Sequence, residues 1–402
     1  MSLCLWESDE ILSPGCTLPA MTEFRARVRS FVDSEITPFV ADWDALGEIP
    51  KEFVLKMVQA GLYCPFWSVE FGGTPPLGLT VENSAIYDFI WQDELARCGT
   101  SGVIMGGLIS VQLGFPPVLA AGLAGGPDLM KTLALKVAKG LAKVAFAVTE
   151  PYGGSDVAAL RTEAQLVAGG HYIITGEKAF ITGALSSDYI VVAARENVGL
   201  TLFLVDSKSV GILIERVPTQ GWCVSETCRI TFDKVVVRPE FKVGQSGKAF
   251  KYIMRNFNHE RLIGCFGANR LARICLEDSI SYARVRKTFG KRLADHQVIR
   301  HKLAEMSRVI LANHALNMTL MRAFAANVPQ KTAPLIALGK VHSTKNLEFV
   351  AREASQILGG KSFLRGDGPG GRIERIYREV RVLAIGGGSE EILTDFVSKH
   401  IT

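Results

Sequence analysis

The chain has 402 residues, of which 48% are hydrophobic and 21% charged, and its formal net charge is +5. This is the composition of a folded globular protein of about two to three domains, and it excludes disordered, collagen-like and coiled-coil chains. The small excess of Lys and Arg fits an anionic small ligand but gives no nucleic-acid-binding surface.

The cysteines predict neither a disulfide framework nor a metal site. None forms a CxxC pair, and no His lies near them at zinc-ligand spacing. We expect buried free thiols in a reducing compartment. The eight residues are Cys4, Cys16, Cys64, Cys98, Cys223, Cys228, Cys265 and Cys275.

The two ends of the chain carry no recognisable targeting signal. The N-terminal MSLCLWESDE has no basic region and is acidic early, which disfavours a secretory or mitochondrial signal. The C-terminal SKHIT is not a peroxisomal signal. The expected location is therefore the cytoplasm.

One uncharged segment, Cys98–Pro127, is long enough to cross a membrane. Pro116 and Pro117 interrupt it, and glycines such as Gly102, Gly107 and Gly114 lower its helix propensity. We expect a buried helix, a break and a second helix, and no membrane span.

In chain order, the hydrophobic pattern predicts an extension at 1–21 followed by three domains. Residues 22–143 have a helical period, with Thr80 as the N-cap of a helix that runs to about Cys98. Residues 144–245 contain β-branched runs typical of strands, and residues 246–402 return to helix. The strand runs are HYIITG, YIVVAAR, LTLFLVD, GILIERV and CRITFDKVVV. The last domain has predicted helices at 248–286, 295–326, 331–358 and 389–400, and a flexible loop at Arg365–Arg372.

The order of helices, strands and helices has consequences for nucleotide binding. It is not the alternating βαβ order, so Rossmann and TIM-barrel folds are disfavoured. No GxGxxG opens a helix after a strand, and no Walker motif is present. Any nucleotide must be bound in another way.

The segment FAVTEPYGGSD, Phe146–Asp156, is the most informative stretch of the sequence. Its Gly-rich turn follows a short strand, and its backbone amides are suited to an anion. Taken alone, the same residues could form an ordinary turn.

Three further segments accompany it along the chain. They are GEKAFITGALSSDYIVVAAR, YARVRKTFGKRLADHQVIRHKLAEM and QILGGKSF, the last followed by ERIYREVRVLAIGGGSEEI. The basic residues of the second segment are, by themselves, equally typical of a solvated helix end. Their meaning comes from the set and its order.

With these segments in this order, the sequence resembles the acyl-CoA dehydrogenase family over residues 22–400. The matching pattern is TEP-x-G-GSDV, K-x-FITG, R-x-x-FGK with a following Gln, and Q-x-x-GG before ERIYRE. The resemblance implies an α+β fold with an N-terminal helical domain, a central antiparallel β domain and a C-terminal four-helix bundle.

The resemblance further implies that FAD binds between the β domain and the C-terminal helices. The residues matched to FAD contacts within one chain are Phe146, Val148, Thr149, Gly154, Ser155, Phe180, Ile181, Thr182, Ser389 and Glu391, where Glu391 replaces a common Gln. Those matched to the FAD of a neighbouring subunit are Arg286, Phe289, Gln297, Gln356, Gly359 and Gly360. The implied assembly is a homotetramer, or at least a dimer.

The catalytic base needs separate treatment, because many family members carry it as a Glu where this chain has Gly387. A minority carries the base on a helix in a segment that resembles NFNHERL, Asn256–Leu262. Glu260 lies 26 residues before Arg286, the spacing that the resemblance requires. We therefore predict Glu260 as the base; the alternative is a structural Glu paired with Arg261 or another cation.

The implied reaction is α,β-dehydrogenation of an acyl-CoA thioester, with the α-proton going to Glu260 and the β-hydride to flavin N5. The matched substrate contacts are Ser155, Phe257, Arg261 and Gly387, whose backbone amide would hydrogen-bond the thioester carbonyl. An electron-transfer flavoprotein would take the electrons, in fatty acid β-oxidation, and a helix-borne base is typical of members that handle branched or long chains. Two alternatives stay open, an oxidase or monooxygenase of the same fold and a dehydrogenase of carrier-protein thioesters.

Overall fold

The structure is a computed structural model that describes residues 16–326 and 329–401, without the side chains of residues 329–331. Cys4 and the sequence MSLCLWESDE lie outside the described residues. The helices are α1 Pro19–Glu35, α2 Val40–Leu46, α3 Lys51–Gln59, α4 Ser84–Leu95, α5 Ser101–Ile109, α6 Pro116–Ala121, α7 Pro127–Ala138, α8 Ala249–Val285, α9 Gln297–Ala325, α10 Pro329–Leu358, α11 Gly368–Ile385 and α12 Glu390–Ile401. The strands are β1 Val144–Ala147, β2 Glu163–Leu166, β3 Tyr172–Ile181, β4 Tyr189–Glu196, β5 Gly199–Asp206, β6 Ile212–Arg216, β7 Cys228–Val237, β8 Lys242–Val243, β9 Lys287–Thr288 and β10 Lys291–Arg292.

The chain forms two compact units. The helical unit comprises Met1–Ala45, Pro76–Ser101 and Arg261–Thr402, and the sheet unit comprises Leu46–Pro75 and Gly102–Glu260. The boundary falls inside α8, between two consecutive residues of the NFNHERL segment. The predicted boundaries at 22–143, 144–245 and 246–402 stay a prediction.

The sheet unit is built on one eight-stranded sheet. Its strand order is β6-β7-β3-β2-β4-β5-β8, and β1 pairs with β4. The neighbours are antiparallel except that β1 and β2 run parallel to β4. The predicted antiparallel sheet is therefore confirmed in its main part, and all five predicted strand runs form strands. Buried apolar side chains such as Ile190, Phe203 and Phe232 form its core.

The helical unit contains the predicted C-terminal four-helix bundle, formed by α8, α9, α10 and α11. Its core joins Leu276 on α8, Ile310 on α9, Leu347 on α10 and Ile376 on α11, each essentially fully buried. Helix α4 adds buried charge, because Asp93 accepts hydrogen bonds from Arg25 on α1 and from Arg270 on α8. Helices α8, α9 and α10 correspond to predicted helices, whereas α11, the fourth helix of this core, was not among the predicted helix ranges.

Two local predictions are wrong. The helix predicted to start after Thr80 begins at Ser84, because Thr80 and Asn83 hydrogen-bond to each other's backbone and close a turn first. The loop predicted at Arg365–Arg372 contains the start of α11 at Gly368, with Pro369 in its first turn, where Pro is well tolerated. A Cβ on Gly371 would lie 2.0 Å from the Gly366 carbonyl oxygen, so glycine here serves close backbone packing rather than flexibility.

The uncharged segment is broken as expected. Helix α5 passes into a π-helical turn at Ser110–Gly114, and α6 follows. By length and composition Ser101–Ala121 qualifies as a membrane span, but 78% of its apolar window is buried inside the protein. Buried core helices meet the same criterion. All seven described cysteines are free thiols, and all except the half-buried Cys223 are buried.

Candidate active site

The loop of the TEPYGGSD segment is held by a buried ion pair in the sheet unit. The Glu150 carboxylate accepts hydrogen bonds from the backbone N–H groups of Arg161 and Thr162, at 2.6 and 2.9 Å. Lys178 Nζ donates to the same carboxylate and to the Val148 carbonyl oxygen, both at 2.9 Å. One carboxylate therefore ties together the loop, the start of β2 and strand β3.

Burial and pairing oppose each other in this pair. Burial lowers the pKa of Lys178 to about 8, although the hydrogen bond with Glu150 works against the decrease. Burial alone would raise the pKa of the Glu150 carboxyl, but the bonds from Lys178, Thr162 and Arg161 outweigh it and lower that pKa. The sequence analysis did not predict that Glu150 and Lys178 form a buried ion pair. The signal that could have indicated the pair is the presence of charged residues in otherwise apolar strand segments.

Phe180 stands out in the K-x-FITG segment. It has a left-handed φ of +58°, and its side chain is 68% exposed. The register between β3 and β7 shifts between Lys178 and Ile181, so Phe180 lies at a β-bulge. Ile181 is buried and Thr182 half-buried. Strained backbone and a bulge that redirects an aromatic ring are typical of functional positions.

The remaining predicted flavin residues of the sheet unit lie along β1 and the loop that follows it. Val148 is buried, Thr149 is half-buried, and the Thr149 carbonyl oxygen accepts a 2.9 Å bond from the N–H of Ala179. Gly154 and Ser155 are exposed, and a Cβ on Gly154 would meet nothing within 4 Å. The backbone here is open to a ligand.

The predicted base lies on the first half of α8. Glu260 is half-buried. One turn earlier, the buried Asn256 donates through Nδ2 to the Leu113 carbonyl oxygen at 3.3 Å. Phe257 meets Phe146 edge to face, with the ring centroids 6.3 Å apart. Phe257, a predicted substrate residue, thus contacts Phe146, a predicted flavin residue.

In the helical unit, the loop Gly386–Gly388 is the segment that the resemblance matches to the loop where many family members carry the base. Arg261 Nε donates to the Gly387 carbonyl oxygen at 2.6 Å, which joins two of the predicted substrate residues. Gly387 has a φ of +66° and Gly388 a φ of +113°. Both φ values lie in the left-handed region that favours glycine. The backbone conformation of the loop therefore agrees with glycine, rather than a residue that carries a carboxylate, at position 387.

Lys340 on α10 is a further residue at this loop that the sequence analysis missed. Its ammonium group is buried and donates to the carbonyl oxygens of Ala384, at 2.5 Å, and Gly388, at 2.8 Å. Ala384 lies in the last turn of α11, where carbonyl groups lack helix partners and favour a cation. No motif marked this lysine in the sequence.

The residues predicted to reach a neighbouring FAD are surface residues of the helical unit. Arg286 precedes the β9–β10 hairpin, whose turn presents Phe289 with a φ of +49° and 97% exposure. Gln297 opens α9 and is exposed. The other three residues, which lie at the end of α10 and just after it, are also exposed: Gln356, Gly359 and Gly360.

Ser389 and Glu391 form the N-terminal end of α12. The pKa of the Glu391 carboxyl is lowered, first by a hydrogen bond from its own backbone and then by the Ser389 hydroxyl. The Ser389 carbonyl oxygen also accepts the N–H of Leu393 at 3.1 Å. The two residues therefore form one local cap, while their predicted contact with FAD stays a prediction.

The predicted flavin residues, taken in each unit by itself, have the chemistry that FAD requires. The exposed and strained Phe180 suits an isoalloxazine face, and the open backbone at Gly154 suits a pyrophosphate. Arg286 offers a guanidinium group that pairs with phosphate oxygens. Their individual roles follow from the resemblance.

Comparison with known proteins decides the family. Profiles of the acyl-CoA dehydrogenase N-terminal, middle and C-terminal domains match residues 19–124, 145–235 and 247–402. The chain belongs to the acyl-CoA dehydrogenase family. Like other acyl-CoA dehydrogenases it is an oxidoreductase, and its cofactor is FAD.

Individual acyl-CoA dehydrogenase relatives match along almost the whole chain. An acyl-CoA dehydrogenase of Alternaria alternata is 34% identical over 92% of this chain and 89% of its own length. A 3-(aryl)acrylate reductase of Clostridium sporogenes is 31% identical over 94% of this chain and 97% of its own. The crystal structure of a probable acyl-CoA dehydrogenase from Mycobacterium abscessus, 32% identical, superposes with a TM-score of 0.88 over 96% of this chain and all of that one.

Proposed function

We propose that the protein catalyses α,β-dehydrogenation of an acyl-CoA thioester to the trans-2-enoyl-CoA, with Glu260 as the catalytic base. The observation that carries this proposal is the backbone at Gly387. Its left-handed φ of +66° leaves a loop that disfavours any side chain, so the loop supplies no carboxylate. Glu260 is half-buried on α8, and it lies in the segment that resembles the helix-borne bases of the family, so the resemblance makes it the candidate base.

The mechanism divides the work among residues of this chain. When bound, FAD supplies the hydride acceptor. Glu260 removes the α-proton, and the Gly387 N–H holds the thioester carbonyl oxygen, where negative charge develops as the proton leaves. Phe257 and Phe146 offer an apolar surface for the acyl chain, and Ser155 and Arg261 complete the matched substrate contacts.

The electron acceptor and the assembly are part of the same proposal. An electron-transfer flavoprotein would take the electrons, and a homotetramer, or at least a dimer, would complete the FAD site through Arg286, Phe289, Gln297, Gln356, Gly359 and Gly360. Their exposure at the surface of the helical unit supports this. Arg286→Ala should weaken FAD retention about 10- to 100-fold, the loss of one charge-assisted bond, and a stable monomer that keeps FAD would contradict the shared site.

The proposed physiological role and cellular location follow from the sequence analysis. A cytoplasmic enzyme of fatty acid β-oxidation remains the expectation from the sequence, while the Clostridium relative is named as a reductase. The acyl chain is therefore best identified by experiment rather than by analogy with one relative.

The experiment is a panel of straight, branched and aryl acyl-CoA thioesters added anaerobically to the yellow holoenzyme. The proposal predicts bleaching of the flavin by at least one thioester and slow reoxidation when air is admitted. Rapid oxygen consumption would instead identify the oxidase alternative. Reaction of an acyl-carrier protein but not of the matching CoA thioester would identify the carrier-protein alternative, and no bleaching by any thioester would contradict the proposal.

A further inference from the structure

The peptide groups around Gly387 are held on both sides. The Gly386 N–H donates to the Val382 carbonyl oxygen at 2.7 Å, and the Gly387 carbonyl oxygen accepts from Arg261 at 2.6 Å. Because each peptide group is planar, these two bonds fix the groups that flank the Gly386–Gly387 peptide. That middle peptide carries the Gly387 N–H.

Lys340 closes the loop from the other side. Its single ammonium group bonds the Ala384 carbonyl oxygen before the loop and the Gly388 carbonyl oxygen after it. An ammonium group has three donors and no acceptor, so it can bind two carbonyl groups at once while leaving N–H groups untouched. The four-residue span between the two carbonyls is thereby fixed in length.

The carbonyl groups and the N–H groups of this loop consequently differ in their hydrogen bonding. The Gly387 and Gly388 carbonyl oxygens accept from the cationic side chains of Arg261 and Lys340, whereas no backbone hydrogen bond among the described residues uses the N–H of Gly387. A run of three glycines would otherwise sample many conformations, since glycine has the widest choice of backbone angles. Packing alone does not demand a charged residue on α10, where Lys340 is only 3% exposed.

We propose that Lys340 is a positioning residue that, with Arg261, orients the Gly387 N–H toward the thioester carbonyl oxygen of the substrate. The inference rests on the proposed function. In relatives with a glutamate in this loop a side chain is present at the same position, whereas here two cations fix a loop without side chains. Lys340 would act through the backbone carbonyl oxygens that it binds, not through contact with the substrate.

The test is Lys340→Met in the holoenzyme, with Lys345→Met as the matched control. Lys345 lies on the same helix, is largely exposed and pairs with Glu390 at 2.7 Å. Turnover is measured with the best thioester of the panel. Exchange of its α-protons into D2O is measured separately on enzyme whose flavin has been reduced beforehand, so that no hydride can be transferred.

A misplaced hydrogen-bond donor for the developing negative charge lowers a rate by about 10- to 100-fold. We expect kcat and the exchange rate of Lys340→Met to fall together by that factor, with KM within about threefold of the control and one FAD per chain retained. Lys340→Arg, which keeps the donors, should recover part of both rates.

A purely structural role would instead reduce FAD content and thermal stability and leave the rate per bound FAD unchanged; that result would overturn the inference, as would rates equal to those of Lys345→Met. If Lys340→Met does not fold, Lys340→Gln, which retains one donor group, carries the same expectation with a smaller decrease. Failure of the wild-type enzyme to react with any thioester would contradict the proposed function, not the role of Lys340.

Discussion

Two loops of this protein are held by buried lysines in opposite ways. In the TEPYGGSD loop, Lys178 binds a carboxylate, Glu150, whose other bonds come from backbone N–H groups. In the loop Gly386–Gly388, Lys340 binds backbone carbonyl groups directly, without a side-chain partner on the loop. The first arrangement uses a recognisable sequence motif, and the second uses glycines plus a lysine about 45 residues away in the chain.

The comparison shows that the two loops are held rigid by different interactions. A side-chain carboxylate at the centre of one loop makes the loop depend on a buried ion pair. A glycine loop depends on backbone angles that only glycine adopts easily, and on cations supplied from elsewhere. Substitutions should therefore damage the two loops by different mechanisms.

The largest effect is expected for Lys178→Met. Removal of the cation leaves the Glu150 carboxylate buried and without its charged partner, which typically costs about 3–5 kcal/mol of folding free energy. Urea unfolding should show that loss together with release of FAD. Lys234→Met, at an exposed position on β7, is the matched control and should stay within about 0.5 kcal/mol of wild type.

A smaller effect, dependent on pH, is expected for Glu150→Gln. The pKa of Glu150 is lower in the folded protein than its ordinary value of 4.5, so the folded state binds fewer protons than the unfolded state near and below that pH. Its stabilisation is therefore present above about pH 4.5 and disappears as the pH falls through the folded pKa. The stability difference between wild type and Glu150→Gln should be about 1.5–3 kcal/mol at pH 7 and shrink on acidification; a difference independent of pH would contradict the pairing.

The glycine loop is tested by Gly387→Ala. A Cβ at a φ of +66° costs about 1–2 kcal/mol. Because the strain falls on the loop that holds the substrate carbonyl, kcat should decrease while FAD stays bound. Unchanged stability and unchanged kcat would mean that the loop backbone is not constrained as described.

Gly154→Ala in the other loop has the smallest expected effect on folding. A Cβ there meets nothing within 4 Å, and its φ is not positive, so stability should stay within about 0.5 kcal/mol of wild type. FAD affinity should nevertheless decrease if the pyrophosphate approaches this backbone closely. Tight FAD binding by the variant would remove Gly154 from the cofactor contacts.

Sequence patterns predicted the architecture well because it depends on periodicity. The strand runs and the helices α8, α9, α10 and α12 follow directly from apolar spacing. Helix α11, Gly368–Ile385, was missed altogether, and its first turn was assigned to a loop because glycine and proline indicate a loop by composition, although here they serve close packing and a helix start. Local composition does not show that a Cβ on Gly371 would lie only 2.0 Å from the Gly366 carbonyl oxygen.

The candidate site was predicted unevenly for the same reason. Motif residues such as Phe180 and Glu260 were named from the sequence, and the exposure of Phe180 agrees with a ligand-facing role. Lys340 could not be named, since its partners are backbone carbonyl oxygens, which leave no trace in side-chain chemistry. The Glu150–Lys178 pair is intermediate, because both residues lie in motifs but their pairing depends on the fold.

The most direct test of the account is turnover by Glu260→Ala, measured with the best acyl-CoA thioester and with FAD content determined in the same sample. Loss of the base should lower kcat by about 10²–10⁴-fold, while FAD remains bound, because Glu260 matches no flavin contact. The same variant carrying Gly387→Glu should regain only part of the activity, limited by the strain at φ +66°. Near-normal turnover by Glu260→Ala with full FAD content would contradict the assignment of the base.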